Sequence, residues 1–252
     1  MNGRYKTLLV LALLFVVSGC GGEGSEKELT ISAAASLQGT MNEIKKEFEK
    51  EQPDVKLVFN FGGSGSLQRQ IEQGAPADMF LSAAKENTEA LSKKNLIDGE
   101  VPFIANKLML IAPINKPCSS LETCLEVSSR IASGTPETVP AGKYALSAIP
   151  EEMRNKSVYG KDVRTVLTLV EQGSADIGFV YQSDVTTSKK VTVVEEIKTT
   201  EEILYYGGIL EKSSQKESAR QFMKFLRLPR IQQLFAENGF TPLTTQQIKQ
   251  VR

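Results

Sequence analysis

Two serines stand where a strand pattern gives way to a helix pattern. Ser36 lies in Ala33-Ala34-Ala35-Ser36-Leu37, behind Leu29-Thr30-Ile31, and Ser64 lies in Phe61-Gly62-Gly63-Ser64-Gly65-Ser66-Leu67, behind Val55-Lys56-Leu57-Val58-Phe59. A helix N-terminus exposes unpaired N–H groups and the positive end of its dipole. Two of them facing one space would hold an anion without any cationic side chain. A serine hydroxyl at each start adds a further donor. Such chemistry is capture of a small oxyanion, although each serine taken singly reads better as an N-cap.

Other chemistries find less support. The chain has no histidine, which excludes a Ser-His-Asp or Cys-His arrangement and a zinc site built on His. Ser213-Ser214-Gln215-Lys216 spells Ser-x-x-Lys, but it immediately precedes an amphipathic helix and reads better as a cap than as a hydrolase centre. Asp162 is a natural N-cap, and Lys161 and Arg164 read as a solvated face, so these three stay outside the site. With 30 basic and 30 acidic residues no polycationic field points to nucleic acid.

At the N-terminus Arg4 and Lys6 precede an apolar run from Leu8 to Val17, too short to span a bilayer comfortably, and the segment 1–19 reads as a signal peptide. Val17-Ser18-Gly19-Cys20 is similar to a bacterial lipobox, which makes Cys20 the lipidated first residue of the mature chain. An ordinary secretory signal with an incidental cysteine is the alternative. Residues 20–28, with Gly21-Gly22-Glu23-Gly24-Ser25-Glu26, read as a flexible tether. In an extracytoplasmic protein Cys118 and Cys124 can form a disulfide; two separate buried thiols are the competing reading, and a metal site is less favoured than either.

The elements that must position the serines alternate. Leu37, Met41, Ile44 and Phe48 mark one helix face, Leu67 to Gln73 a second helix stopped by Gly74, and Asp78 to Leu81 a third strand. Phe103 to Ala112 is strand-like. A second series runs through Arg130 to Ala132, a helix opened by Pro140, a helix from Asp162 to Gln172 and a strand from Ala175 to Tyr181. Units of this kind predict parallel sheets with ligands at the carboxyl ends of the strands. Two strand-like passages, near Leu108 to Ala112 and Leu204 to Leu210, are expected to join two α/β lobes, residues 29–107 plus 208–252 and residues 108–207, with a ligand cleft between them. A pair of C-terminal helices is predicted around Phe222, Phe225, Leu226, Ile231, Leu234 and Phe235.

These motifs resemble the solute-binding lipoproteins of molybdate ABC transporters, which have the two-lobed type II periplasmic-binding-protein fold. The resemblance rests on Arg69-Gln70-Ile71-Glu72-Gln73-Gly74-Ala75-Pro76-Ala77-Asp78, Gly134 through Gly142, Asp162-Val163-Arg164 and Gly178 through Asp184, and covers roughly residues 29 to 240. It implies an α/β binding protein, not an enzyme, with no cofactor. Its ligand would be molybdate or tungstate, with molybdenum present only as the bound oxyanion. The ligand set it implies is Ser36, Ser64, the backbone N–H groups of Ala141 and Val163, and the Tyr181 hydroxyl. Some relatives carry serines where Gly63 and Gly65 flank Ser64, which leaves Ser66 as the alternative to Ser64. Implied partners are an ABC permease and, through the Cys20 lipid, the outer face of the bacterial cell membrane, with the protein itself a monomer. Binding of another tetrahedral oxyanion, sulfate or phosphate, is the runner-up, ahead of a serine hydrolase.

Overall fold

The computed structural model describes residues 27–244, so the expected signal peptide and Cys20 lie outside the described residues. Two five-stranded sheets organise the chain. The first has the order β2-β1-β3-β10-β4, from β1 (Lys27–Ala34), β2 (Val55–Gly62), β3 (Met79–Ser82), β4 (Ile97–Asn106) and β10 (Ile203–Leu210). The second repeats that plan as β7-β6-β8-β5-β9, from β5 (Leu108–Pro113), β6 (Ile131–Gly134), β7 (Ser157–Gly160), β8 (Ile177–Tyr181) and β9 (Val191–Ile197). Each forms the centre of one α/β lobe, as the expected two-lobed fold requires.

Helices fill the connections: α1 (Gln38–Glu51), α2 (Ser64–Glu72) and α3 (Lys85–Lys93) in the first lobe, and α4 (Leu121–Val127), α5 (Pro140–Ala148), α6 (Val163–Glu171) and α7 (Gln182–Val185) in the second. The predicted face of α1 is the buried one, with Met41, Ile44 and Phe48 inside. Phe48 meets Phe222 and Phe225 of α8 (Lys216–Leu226) edge to face at 5.0 and 5.1 Å, which seats that helix on the first lobe. Truncating a buried phenylalanine of this kind costs roughly 3–5 kcal/mol. α9 (Pro229–Glu237) follows with Ile231 and Phe235 buried.

Four expectations need correction. The sheets are mixed: β1, β2 and β3 run parallel, as do β6, β7 and β8, but β10 and β5 enter their sheets antiparallel. Leu108 to Ala112 and Leu204 to Leu210 are therefore strands inside the sheets, and the chain crosses between lobes at Lys107 and through 198–202. The lobe border expected at 208 falls within β10, all of which belongs to the first sheet, because Gly207 and Gly208 continue the strand where side chains would collide with Met223 and Ile97. Finally, the tether expected over 20–28 ends sooner, since Lys27 and Glu28 already pair with Val55 and Lys56.

Candidate functional site

The parallel register puts side by side the strand ends that lead to the two serines. Ala34 pairs with Gly62 at the carboxyl ends of β1 and β2, and Ser36 and Ser64 each follow two residues later. Neither is a helix cap. Ser36 sits in a 3-10 turn (Ala35–Leu37) ahead of α1, and α2 begins at Ser64 itself behind Gly63, with no side-chain cap bond at either start. Their oxygens are engaged elsewhere: the Ala83 N–H donates to Ser64 Oγ at 3.0 Å, and Ser36 Oγ lies 2.7 Å from Tyr205 Oη. Both serines are buried; Ser66, the neighbour that could have replaced Ser64, is only half-buried.

The second lobe offers its own strand ends. Gly134 pairs with Gly160 where β6 and β7 finish, and α5 and α6 start just beyond. Pro140 occupies the first turn of α5, as expected, and needs no acceptor. Asp162 caps α6, its carboxylate accepting from Thr165 N–H at 2.8 Å and Thr165 Oγ1 at 2.9 Å. Ala141 and Val163 thus lie buried in first turns, where N–H groups have no intrahelical acceptor. At the end of β8, the Tyr181 hydroxyl is buried without a hydrogen-bond partner among the described residues. Burial raises its pKa well above the usual phenol value, so it stays neutral and keeps a hydrogen to donate.

The two lobes touch beside these groups. The Gly65 N–H donates to the Thr138 carbonyl at 2.9 Å, and Lys143 Nζ bonds Glu86 Oε1 at 2.6 Å. Gly63 is pressed so closely on the Thr138 and Lys161 carbonyls that a Cβ there would sit 2.9 and 2.8 Å from them. Thr138 and Lys161 immediately precede Val139 and Asp162, the cap residues of α5 and α6, so the start of α2 abuts both helix starts of the other lobe. On the Ser36 side, the Tyr181 ring meets the Tyr205 ring edge to face at 5.9 Å. None of the five expected site residues brings a charge.

Two residues missed by sequence reasoning support this seam. Tyr205 and Asn106 are buried, and Asn106 Nδ2 donates to Tyr205 Oη at 3.2 Å and to Ser183 Oγ at 2.9 Å. In sequence Tyr205 belongs to an apolar strand run and Asn106 to a strand end, neither of which signals a polar role. Away from the seam, Ser213 is not the cap of α8, which is Gln215; Ser213 Oγ donates to Asp78 Oδ1 at 2.6 Å and accepts from Gln215 N–H at 3.0 Å. Arg164 is more than a solvated side chain, since it reaches Asp184 at 3.6 Å and Thr187 at 2.7 Å. Cys118 and Cys124 are joined in a disulfide with Cα atoms 5.4 Å apart. Among the described residues no cluster of three or more His, Cys, Asp or Glu side chains could hold a metal ion.

Two α/β lobes on one strand plan, with helix starts of both lobes meeting where they touch, are the arrangement of a solute-binding protein. Residues 29–241 match the family of bacterial extracellular solute-binding proteins, and the chain belongs to that family. It is similar to YvgL of Bacillus subtilis (strain 168), named for the substrate-binding lipoprotein of an ABC transporter, at 38% identity over 96% of this chain and 99% of that one. It is also similar to the molybdate-binding protein ModA of Escherichia coli (strain K12), at 34% identity over 91% of this chain and 95% of the relative. Among solved structures, the sulfate-binding protein SubI of Mycobacterium tuberculosis H37Rv superposes with a TM-score of 0.76 at 16% identity, covering 89% of this chain and 90% of that one, a likeness of fold alone. The relatives are solute-binding proteins, not enzymes.

Proposed function

We propose that this protein captures molybdate or tungstate outside the cytoplasm, anchored through a lipid on Cys20, and delivers it to an ABC permease. The anion would be held by Ser36, Ser64, the Ala141 and Val163 N–H groups and the Tyr181 hydroxyl. The observation that carries this reading is the buried Tyr181 hydroxyl, which has no partner among the described residues, on the same seam as two helix starts and two serines. Leaving such a donor unpaired costs about 1–3 kcal/mol, and an oxyanion would accept from it. Ser64 Oγ already accepts from the Ala83 N–H, so its own hydrogen is available to the same ligand.

Neutral donors suit a fully deprotonated dianion, because charge-assisted hydrogen bonds are the stronger class. A hydrogenphosphate ion would bring a proton for which a set of donors has no acceptor. Sulfate carries no proton, so its exclusion must rest on size. Among relatives, ModA, 34% identical, is named for molybdate.

Melting of the mature protein in an oxyanion panel tests the assignment. A ligand at a thousandfold excess over its dissociation constant adds about 4 kcal/mol to folded-state stability, a shift of several degrees for a protein of this size. Molybdate and tungstate should raise Tm, and equal concentrations of sulfate or phosphate should change it little. A response to sulfate as large as that to molybdate would reassign the ligand.

A further inference from the structure

We propose that Tyr205 is a positioning residue for oxyanion binding: its phenol donates to Ser36 and thereby keeps the Ser36 hydroxyl hydrogen free to be offered to the ligand. This deepens the reading of Ser36 as a ligand donor and rests on it. The assignment follows from counting hydrogens through a buried chain of four polar groups. The Lys107 backbone N–H can only donate, and it meets Asn106 Oδ1 at 2.9 Å, which fixes the orientation of that amide. Both hydrogens of Asn106 Nδ2 are then accounted for, one on Ser183 Oγ at 2.9 Å and one on Tyr205 Oη at 3.2 Å.

Tyr205 Oη therefore accepts from Asn106, and Ser36 Oγ, at 2.7 Å, is the partner left for its own hydrogen. Were Ser36 the donor instead, a phenolic hydrogen on a fully buried tyrosine would be stranded. Burial raises the Tyr205 pKa well above the usual phenol value, so the hydrogen is retained. The ring is held by edge-on contacts with Tyr181, Phe103 and Phe240 at 5.9, 6.3 and 5.7 Å, which leaves the hydroxyl little freedom to turn away.

Asn106 gives the chain a second property. It is the last residue of β4, directly before the crossing at Lys107, while Ser183 belongs to α7 of the other lobe. The amide that orients Tyr205 thus bonds across the lobes, so the donor state of Ser36 is set where the lobes join.

A double-mutant cycle by calorimetric titration separates positioning from packing. The probe is whichever of molybdate, tungstate or sulfate the wild-type protein binds most tightly, so a wrong ligand assignment appears in the wild-type panel and leaves the cycle to decide this proposal. Tyr205→Phe keeps the ring and should weaken binding about tenfold, the usual worth of a charge-assisted bond lost or misdirected, while the Asn106 hydrogen it strands lowers the Tm of the unliganded protein without entering the binding cycle. In a Ser36→Ala background the same change should cost less than about twofold, because the residue it acts through is gone. If Tyr205→Phe impairs folding, Asn106→Ala, which frees the phenol oxygen to accept from Ser36, enters the same cycle. Losses that add in the double variant, or no loss in the single, would overturn the proposal.

Discussion

Asp184 gives this fold a pH-dependent contribution to stability. It is fully buried, and burial pushes its carboxyl up to about 7, against the pull of the Arg164 guanidinium 3.6 Å away and of the Tyr181 N–H it accepts at 3.2 Å. The folded state therefore binds a proton that the unfolded chain releases near its ordinary value of 3.8. Stability from this group is complete below that value, is lost as pH rises toward about 7, and is level above. With no histidine in the chain, Asp184→Asn should flatten the fall of Tm between about pH 4 and 7, a window set by its linkage. An equally steep fall in the variant would place the titrating group elsewhere. At this scale sequence motifs pointed to Ser36, Ser64 and Tyr181, whereas Tyr205, Asn106 and Asp184 stayed silent. Their roles come from contacts made 169, 77 or 99 positions away, or from burial, and no local spacing encodes either.

The three helix starts at the seam are useful only if they can approach one another. Gly65 allows that approach: its N–H bonds Thr138 O, and a Cβ there would lie 2.9 Å from Thr138 Cα and 3.0 Å from that same carbonyl. Backbone cannot yield as a flexible side chain would, so Gly65→Ala must hold the lobes apart. Overpacking of this kind costs about 1–3 kcal/mol, and charged against closure it should weaken anion binding roughly five- to hundredfold. The unliganded Tm should change little, and a titration showing wild-type affinity would contradict the role given to this glycine. The elements themselves were largely legible. The apolar face of α1, Pro140 in α5, Asp162 capping α6 and the stop at Gly74 all carry local signals, and the structure has each where the pattern put it. Strand direction was not legible, because β5 and β10 have apolar runs no different from those of parallel neighbours.

Across the whole molecule, two lobes of one plan meet with the chain crossing at Lys107 and through 198–202. A ligand that bonds to both lobes favours the closed arrangement by its differential affinity for it, and a permease could recognise that arrangement. The lobe border was misjudged by sequence because a strand returning from the second lobe looks the same wherever its sheet begins. Calorimetric titration of molybdate into the wild-type protein, Ser36→Ala and Ser64→Ala tests the central claim most directly. One anion should bind per wild-type chain, and each substitution should weaken it by about ten- to a hundredfold, the loss of a hydrogen bond to a charged ligand worth about 1.5–3 kcal/mol. Unchanged molybdate affinity in both variants, with folding intact, would mean that the serines do not hold the ligand and that the site lies elsewhere.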